Sequence, residues 1–308
     1  MVFVYLVLGS ALLALLVLPF WSEARKAVPN RKKAPGKFAD TGRGKTHYGW
    51  YGPSRGPVVV AIHGLTTPCA VWDGVAMGLV DLGYRVLVYD LYGRGYSDAP
   101  GGRQDRRFFL AQLDALLADQ GLREDITLMG FSMGGSIATA YAAENPDKLK
   151  RLILLAPCGI NPQDDPETRF MRRVPVLGDW LHAMRVPGRM RAAIAAAPPP
   201  GPGGMPEIAA LRLAELDRRG YVPAILSSQR GIMTEVQEAE HRAIGRTDIP
   251  VIAIWGEMDR VVPLTGLGQL TAWNRAVRQE VVKGAGHDLP ALHGVEVVDI
   301  LREVLRED

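Results

Sequence analysis

Five short apolar runs constrain the fold of this 308-residue chain more than any other feature. They are PVVVAIH at 57–63, YRVLVY at 84–89, ITLMGF at 126–131, RLILL at 151–155 and VIAIW at 251–255. They are continuous rather than alternating and rich in branched residues, as strands buried on both faces require. His47–Tyr51 reads as a first strand or hairpin arm, and Glu280–Val282 as a last one. Helical patterns fill the intervals at Val71–Leu82, Phe108–Asp119, Ser132–Glu144, Leu264–Ala276 and His293–Arg306. This rhythm predicts an α/β fold, a mostly parallel twisted sheet with helices on both faces. Right-handed crossovers gather the C-terminal strand ends on one edge, where open sheets bind ligands.

The rhythm stops from about Ile160 to Arg246. Helical patterns continue there, broken by Pro187, by PPPGPGG at 198–204 and by Pro223. The stretch is too long for a structureless loop, so an inserted helical cap over the strand ends is expected. The expected organisation is an anchor at 1–21, a basic linker at 22–43, the core in two parts at 44–159 and 247–308, and the cap at 160–246.

The anchor rests on MVFVYLVLGSALLALLVLPFW, residues 1–21, which holds no charged side chain. At ~1.5 Å per helical residue it spans roughly the 30 Å hydrocarbon core of a bilayer. A cleavable signal peptide competes with this reading, Ser22-Glu23-Ala24 serving as a small-x-small site. The segment lacks the basic leading region of such peptides, and its apolar run is longer than theirs. Basic residues follow it at Arg25, Lys26, Arg31, Lys32, Lys33 and Lys37, which by the positive-inside rule puts the body on the cytoplasmic side.

That flank also explains the net charge of +3: Ser22–Lys45 carries +6, leaving −3 for the rest. A nucleic-acid partner would need basic residues spread over a domain face, with aromatics among them. Cys69 and Cys158 are the only cysteines, so a disulfide framework or zinc site is not expected and both read as reduced thiols. Gly93-Arg94-Gly95 is too short and wrongly placed for dinucleotide phosphates, and no cofactor or metal is expected.

Chemistry concentrates in Gly130-Phe131-Ser132-Met133-Gly134-Gly135, between an apolar strand and a helix rich in small residues. A serine on such a turn projects alone above a sheet edge, at a helix N-terminus. Near neutral pH its hydroxyl needs a base. His287, in GAGHD after the last strand, is placed to supply it. An acid must then hold the imidazole. Asp259 in WGEMDRVVP lies beyond the Gly256 turn and is preferred, with Glu257 the runner-up and Asp288 a competitor. Backbone amides of Met133 and of Leu65, in HGLTT after the first buried run, are the candidate oxyanion hole. His63 reads as a brace for that loop. The other histidines considered, His47, His182, His241 and His293, read as structural or solvated. Met171, Met184, Met190, Met205 and Met233 in the cap suit acyl chains, or ordinary cap packing.

Taken in order, HGLTTP at 63–68, DLYGRGYSD at 90–98, GFSMGG at 130–135, WGEMDRVVP at 255–263 and GAGH at 284–287 resemble the motifs of the α/β-hydrolase family, from about Tyr48 to Leu305. The resemblance implies that fold, with Ser132 as nucleophile, His287 as base, Asp259 as acid, and the Leu65 and Met133 amides as oxyanion hole. It also implies a structural role for the loop Asp90–Asp98 and a variable cap after the sixth strand. Dehalogenases and epoxide hydrolases of this type place Asp at the nucleophile position, so Ser132 points away from both. An anchor joined to a GxSMGG elbow resembles membrane-bound monoacylglycerol lipases and similar esterases. The expected function is therefore cleavage of a small-molecule, lipid-like carboxylic ester at a membrane. A C–C bond hydrolase, a cofactor-free perhydrolase and a non-catalytic ligand-binding protein are the alternatives.

Overall fold

The computed structural model describes residues 1–162, 165–200 and 204–305. Residues 201–203 of the Pro198–Gly204 stretch, and Arg306 at the end of the last expected helix, lie outside them. In chain order the elements are helix α1 (Val2–Arg25), strands β1 (Lys37–Asp40), β2 (Lys45–Tyr51) and β3 (Val58–Ile62), helix α2 (Asp73–Asp81), strand β4 (Arg85–Tyr89), helix α3 (Arg106–Asp119), strand β5 (Ile126–Phe131), helix α4 (Met133–Glu144) and strand β6 (Leu149–Leu155). Helices α5 (Pro166–Arg173), α6 (Leu177–Ala195), α7 (Ile208–Leu216), α8 (Tyr221–Arg230) and α9 (Glu238–Ile244) follow. Strand β7 (Val251–Gly256), helix α10 (Thr265–Trp273), strand β8 (Arg278–Val282), the short α11 (Leu289–Leu292) and α12 (Gly294–Val304) complete the chain.

The strands form one sheet in the order β1-β2-β4-β3-β5-β6-β7-β8. Pairings β1/β2 and β2/β4 are antiparallel, and every pairing from β4 to β8 is parallel. The apolar runs explain the middle of this order. Val59, Val60, Ala61 and Ile62 of β3 are wholly buried, as are Leu128 and Met129 of β5. Each large side chain enclosed in this way contributes about 1.5–3 kcal/mol relative to exposure.

Two features depart from expectation. Residues 37–40, read as linker, form the edge strand β1 against β2. Only Ala39 of that strand is buried, so its sequence carries almost no periodic signal. Pro187, read as a break, lies inside α6. It removes one backbone bond to the preceding turn, and the helix continues through the defect.

Helices α5 to α9 occupy the interval between β6 and β7 and reach the loops that follow the strands. Tyr221 Oη–H donates to the Thr66 carbonyl after β3 at 2.9 Å, Ile232 N–H to Gln104 O after β4 at 3.1 Å, and Met205 N–H to Ala291 O after β8 at 2.8 Å.

Helix α1 is long and apolar enough to cross a membrane, and its most apolar window is almost entirely exposed. Trp180 Nε1–H of α6 donates to the Leu15 carbonyl at 3.0 Å. The last turn of α1 and the chain after it are tied to the turn before α8: Gly220 N–H donates to Glu23 Oε1 at 2.7 Å, and Arg219 N–H to Ala27 O at 3.0 Å.

Candidate active site

Ser132 sits where β5 turns into α4, with φ 54° and ψ −118°. This is a strained backbone for a residue with a Cβ, of the kind that persists only where its surroundings hold it. Its N–H donates to Leu155 O at 2.9 Å, and its carbonyl accepts from Gly135 N at 2.9 Å and Cys158 N at 3.1 Å. The flanking glycines are needed because backbones meet there. A Cβ on Gly134 would fall 2.1 Å from Ile62 O, and one on Gly130 would fall 2.3 Å from Gly134 O.

Three predicted residues come together in a hydrogen-bonded row. Ser132 Oγ lies 2.9 Å from His287 Nε2, and His287 Nδ1 lies 2.7 Å from Asp259 Oδ2. Asp259 Oδ1 accepts from the amides of Val261 at 2.7 Å and Val262 at 2.8 Å. An ionised carboxylate held this way can only accept, so Nδ1–H of His287 donates to it. Nε2 is then left as the acceptor facing the serine hydroxyl. Phe131 packs against the imidazole with ring centroids 5.1 Å apart. The competing carboxylates are engaged elsewhere: Glu257 accepts from Gly284 N at 2.7 Å, and Asp288 pairs with Arg212 at 2.9 Å.

The loop after β3 runs beside the serine, where a Cβ on Gly64 would come within 3.4 Å of Ser132 Cβ. Met133 begins α4, so its amide has no partner within the helix. His63 accepts from Leu91 N at 2.9 Å through Nε2, and its Nδ1 lies 2.8 Å from Gly64 O. Burial pushes its pKa down to about 4, so the ring stays neutral and braces the loop.

A model of the family described as alpha/beta hydrolase fold matches residues 57–189. A pimeloyl-[acyl-carrier protein] methyl ester esterase of Aeromonas hydrophila is 26% identical over 80% of this chain and 94% of its own. A monoacylglycerol lipase of Xenopus laevis is 24% identical over 82% of this chain and 74% of its own. Among solved structures, a membrane phospholipase A described as a bacterial virulence factor superposes with a TM-score of 0.72 at 21% identity, over 99% of this chain and 97% of that one. The chain has the α/β-hydrolase fold.

Within this fold, two neighbours of the candidate site were not legible in the sequence. Cys158 Sγ lies 3.4 Å from Ser132 Oγ, and burial pushes its thiol up to about 11, which keeps it protonated. The second is Arg94, in the loop read as turn-forming. Its guanidinium is fully buried and donates to Leu65 O at 3.1 Å, Tyr92 O at 2.9 Å, Gln104 Oε1 at 2.6 Å and Ser228 Oγ at 2.8 Å. It thus ties the Leu65 backbone to α8. Burial lowers its pKa to about 10, leaving the cation intact. An arginine between two glycines reads as a turn residue, and only the tertiary contacts disclose its engagement with these four acceptors.

Among the described residues, His47, Cys69 and Asp90 are near enough to share a metal ion. The Asp90 oxygens already accept from His47 Nδ1 at 2.7 Å, Tyr96 N at 2.8 Å and Cys69 N at 2.7 Å. Burial opposes the charge on Asp90, and the His47 bond and charge outweigh it, bringing its pKa to about 2. The arrangement ties together the loops after β3 and β4.

Proposed function

We propose that this α/β hydrolase cleaves carboxylic esters through a covalent acyl-serine. The observation that carries the reading is the row Ser132–His287–Asp259, with the serine on a strained turn at a helix N-terminus. Ser132 Oγ attacks the acyl carbon while His287 Nε2 takes its proton, and Asp259 stabilises the imidazolium. The amides of Leu65 and Met133 receive the oxyanion. Collapse expels the alcohol, which takes the proton from His287. Water then attacks the acyl-enzyme, giving its proton to His287. The acid departs and Ser132 recovers its hydrogen.

We infer further that the substrate is lipid-like, such as a monoacylglycerol. The exposed apolar helix α1 supports this, as do the names of the esterase and lipase relatives. In this reading α1 anchors the enzyme, residues 160–246 form a cap over the site, and the basic flank keeps the body cytoplasmic.

The test is labelling by a fluorophosphonate probe. Wild type should react, while Ser132→Ala and His287→Ala should not. A panel of p-nitrophenyl esters and monoacylglycerols then ranks substrates. Unchanged labelling of Ser132→Ala would sink the scheme. A labelled enzyme that turns over no ester would favour C–C bond cleavage on the same residues.

A further inference from the structure

The segment between α1 and β1, through Ala27, Val28, Pro29, Asn30, Pro35 and Gly36, roofs a cavity of about 790 Å³ against the body. Its other walls come from β2, from Pro68–Ala70, from the loop after β4, and from α7 with the turn that follows it. Ser132, His287, Asp259, Leu65 and Met133 are not among its lining residues. One loop separates the two places: Gly64 lies against Ser132, whereas Pro68, Cys69 and Ala70 face the cavity. The volume falls in the roughly 300–1,000 Å³ range of small-molecule sites.

The walls are mainly apolar, with Val28, Pro29, Trp50, Val88, Leu211 and Ala214 among them. Most of the wall carboxylates are occupied. Asp90 is held by His47 and two amides, Asp73 accepts from Tyr51 Oη–H at 2.6 Å, and Asp217 pairs with Arg191 at 2.8 Å. Arg218 differs. It is 5% exposed, and its Nη2 donates to Ser97 O, but Nε and Nη1 have no hydrogen-bond partner among the described residues. Glu215, which accepts from Gly95 N at 2.9 Å, leaves its carboxylate 3.8 Å from Nη1, beyond hydrogen-bond reach.

Glu215 thus offers Arg218 an ion pair without a hydrogen bond; buried donors left without hydrogen bonds are costly, and a carboxylate matches the guanidinium fork in charge and geometry. The remaining space asks for an apolar body. We propose that this cavity is a binding site, separate from the catalytic serine, for a single-chain aliphatic carboxylate of the fatty-acid class, its headgroup on Arg218 and its chain between the 27–36 segment and β2. Burial pushes Glu215 up to about 7, so near neutrality much of it is uncharged and leaves the guanidinium to the ligand. The roof is continuous with α1, which joins the cavity to the source from which such a molecule would come.

The experiment uses the full chain in nanodiscs, its reactive serine first blocked with fluorophosphonate so that the catalytic site is filled. A long-chain fatty acid carrying a diazirine is added, irradiated, and its adducts mapped by mass spectrometry. Adducts are expected on peptides containing Val28, Trp50 and Leu211. Unlabelled fatty acid should compete them away, and the alcohol of equal length should not. Arg218→Gln should lower labelling about tenfold or more, the loss expected for a charged hydrogen-bonded pair. Ala214→Trp, on an exposed face of α7, keeps the arginine and fills the space, and should abolish labelling. It decides the matter if Arg218→Gln proves unstable. Adducts confined to other peptides, undiminished labelling in Ala214→Trp, or equal competition by the alcohol would overturn the proposal.

Discussion

At the scale of single residues, the site depends on which groups can accept and which must donate. The buried Asp259 carboxylate takes two amide hydrogens and the His287 Nδ1–H. Asp259→Asn preserves the shape but offers an amide NH₂ to the ring, favouring the tautomer that carries its proton toward the serine. The expected outcome is a fall in kcat on the order of 10⁴-fold with KM little changed, read in steady-state ester hydrolysis. A loss below about tenfold would mean that Asp259 does not set the tautomer. Choosing Asp259 over Glu257 and Asp288 from sequence rested on its place beyond the Gly256 turn. The contact itself is a tertiary matter, since His287 and Asp259 approach across the ends of two neighbouring strands. Arg94 was hidden for a related reason: its partners lie in four separate parts of the chain.

At the scale of elements, the helices on the flanks of the sheet carry buried histidines that local sequence could not grade. His241 of α9 is wholly buried and stacks on Trp273 of α10 at 6.0 Å. Both its ring nitrogens lack a partner among the described residues, and burial pushes its pKa down to about 4. The unfolded chain, with a histidine pKa near 6.5, binds more protons between about pH 4 and 6.5. Stability is therefore fully present above pH 6.5 and is lost as pH falls toward 4. The contribution of such a shift is about 3 kcal/mol, and His63 and His182 are displaced in the same direction. His241→Leu should make the loss of stability between pH 6.5 and 4 shallower, measured by urea unfolding at several pH values. Parallel curves for variant and wild type would rule this account out. Packing also governs where elements end: α6 passes through Pro187, whereas β1 owes its existence to β2, because a four-residue edge strand is not stable by itself.

At the scale of the whole molecule, α1 stands almost entirely outside the core yet is tied to the body through Leu15 and Glu23, and the chain just after it through Ala27. Deleting Val2–Trp21 should move the protein from the detergent phase to the aqueous phase in a phase-separation assay. Its labelling by fluorophosphonate should remain, because the Ser132 site draws on none of those residues. Retention of the shortened chain in the detergent phase would show that another surface holds the membrane.

Local chemistry alone determined much of this protein. Runs of branched apolar residues specify buried strands wherever they occur, and glycines around Ser132 specify a turn where two backbones nearly touch. Charge-free length specifies a helix able to span a bilayer. These signals are short in range, so they survive in the linear order of residues. Tertiary structure decided what depends on distance across the chain: which carboxylate faces His287, that Arg94 fastens the Leu65 loop to α8, that residues 37–40 extend the sheet, and that the 27–36 segment shares a cavity wall with Arg218. Such contacts join residues far apart in sequence, and their strength comes from burial and exclusion of water, which no local pattern records.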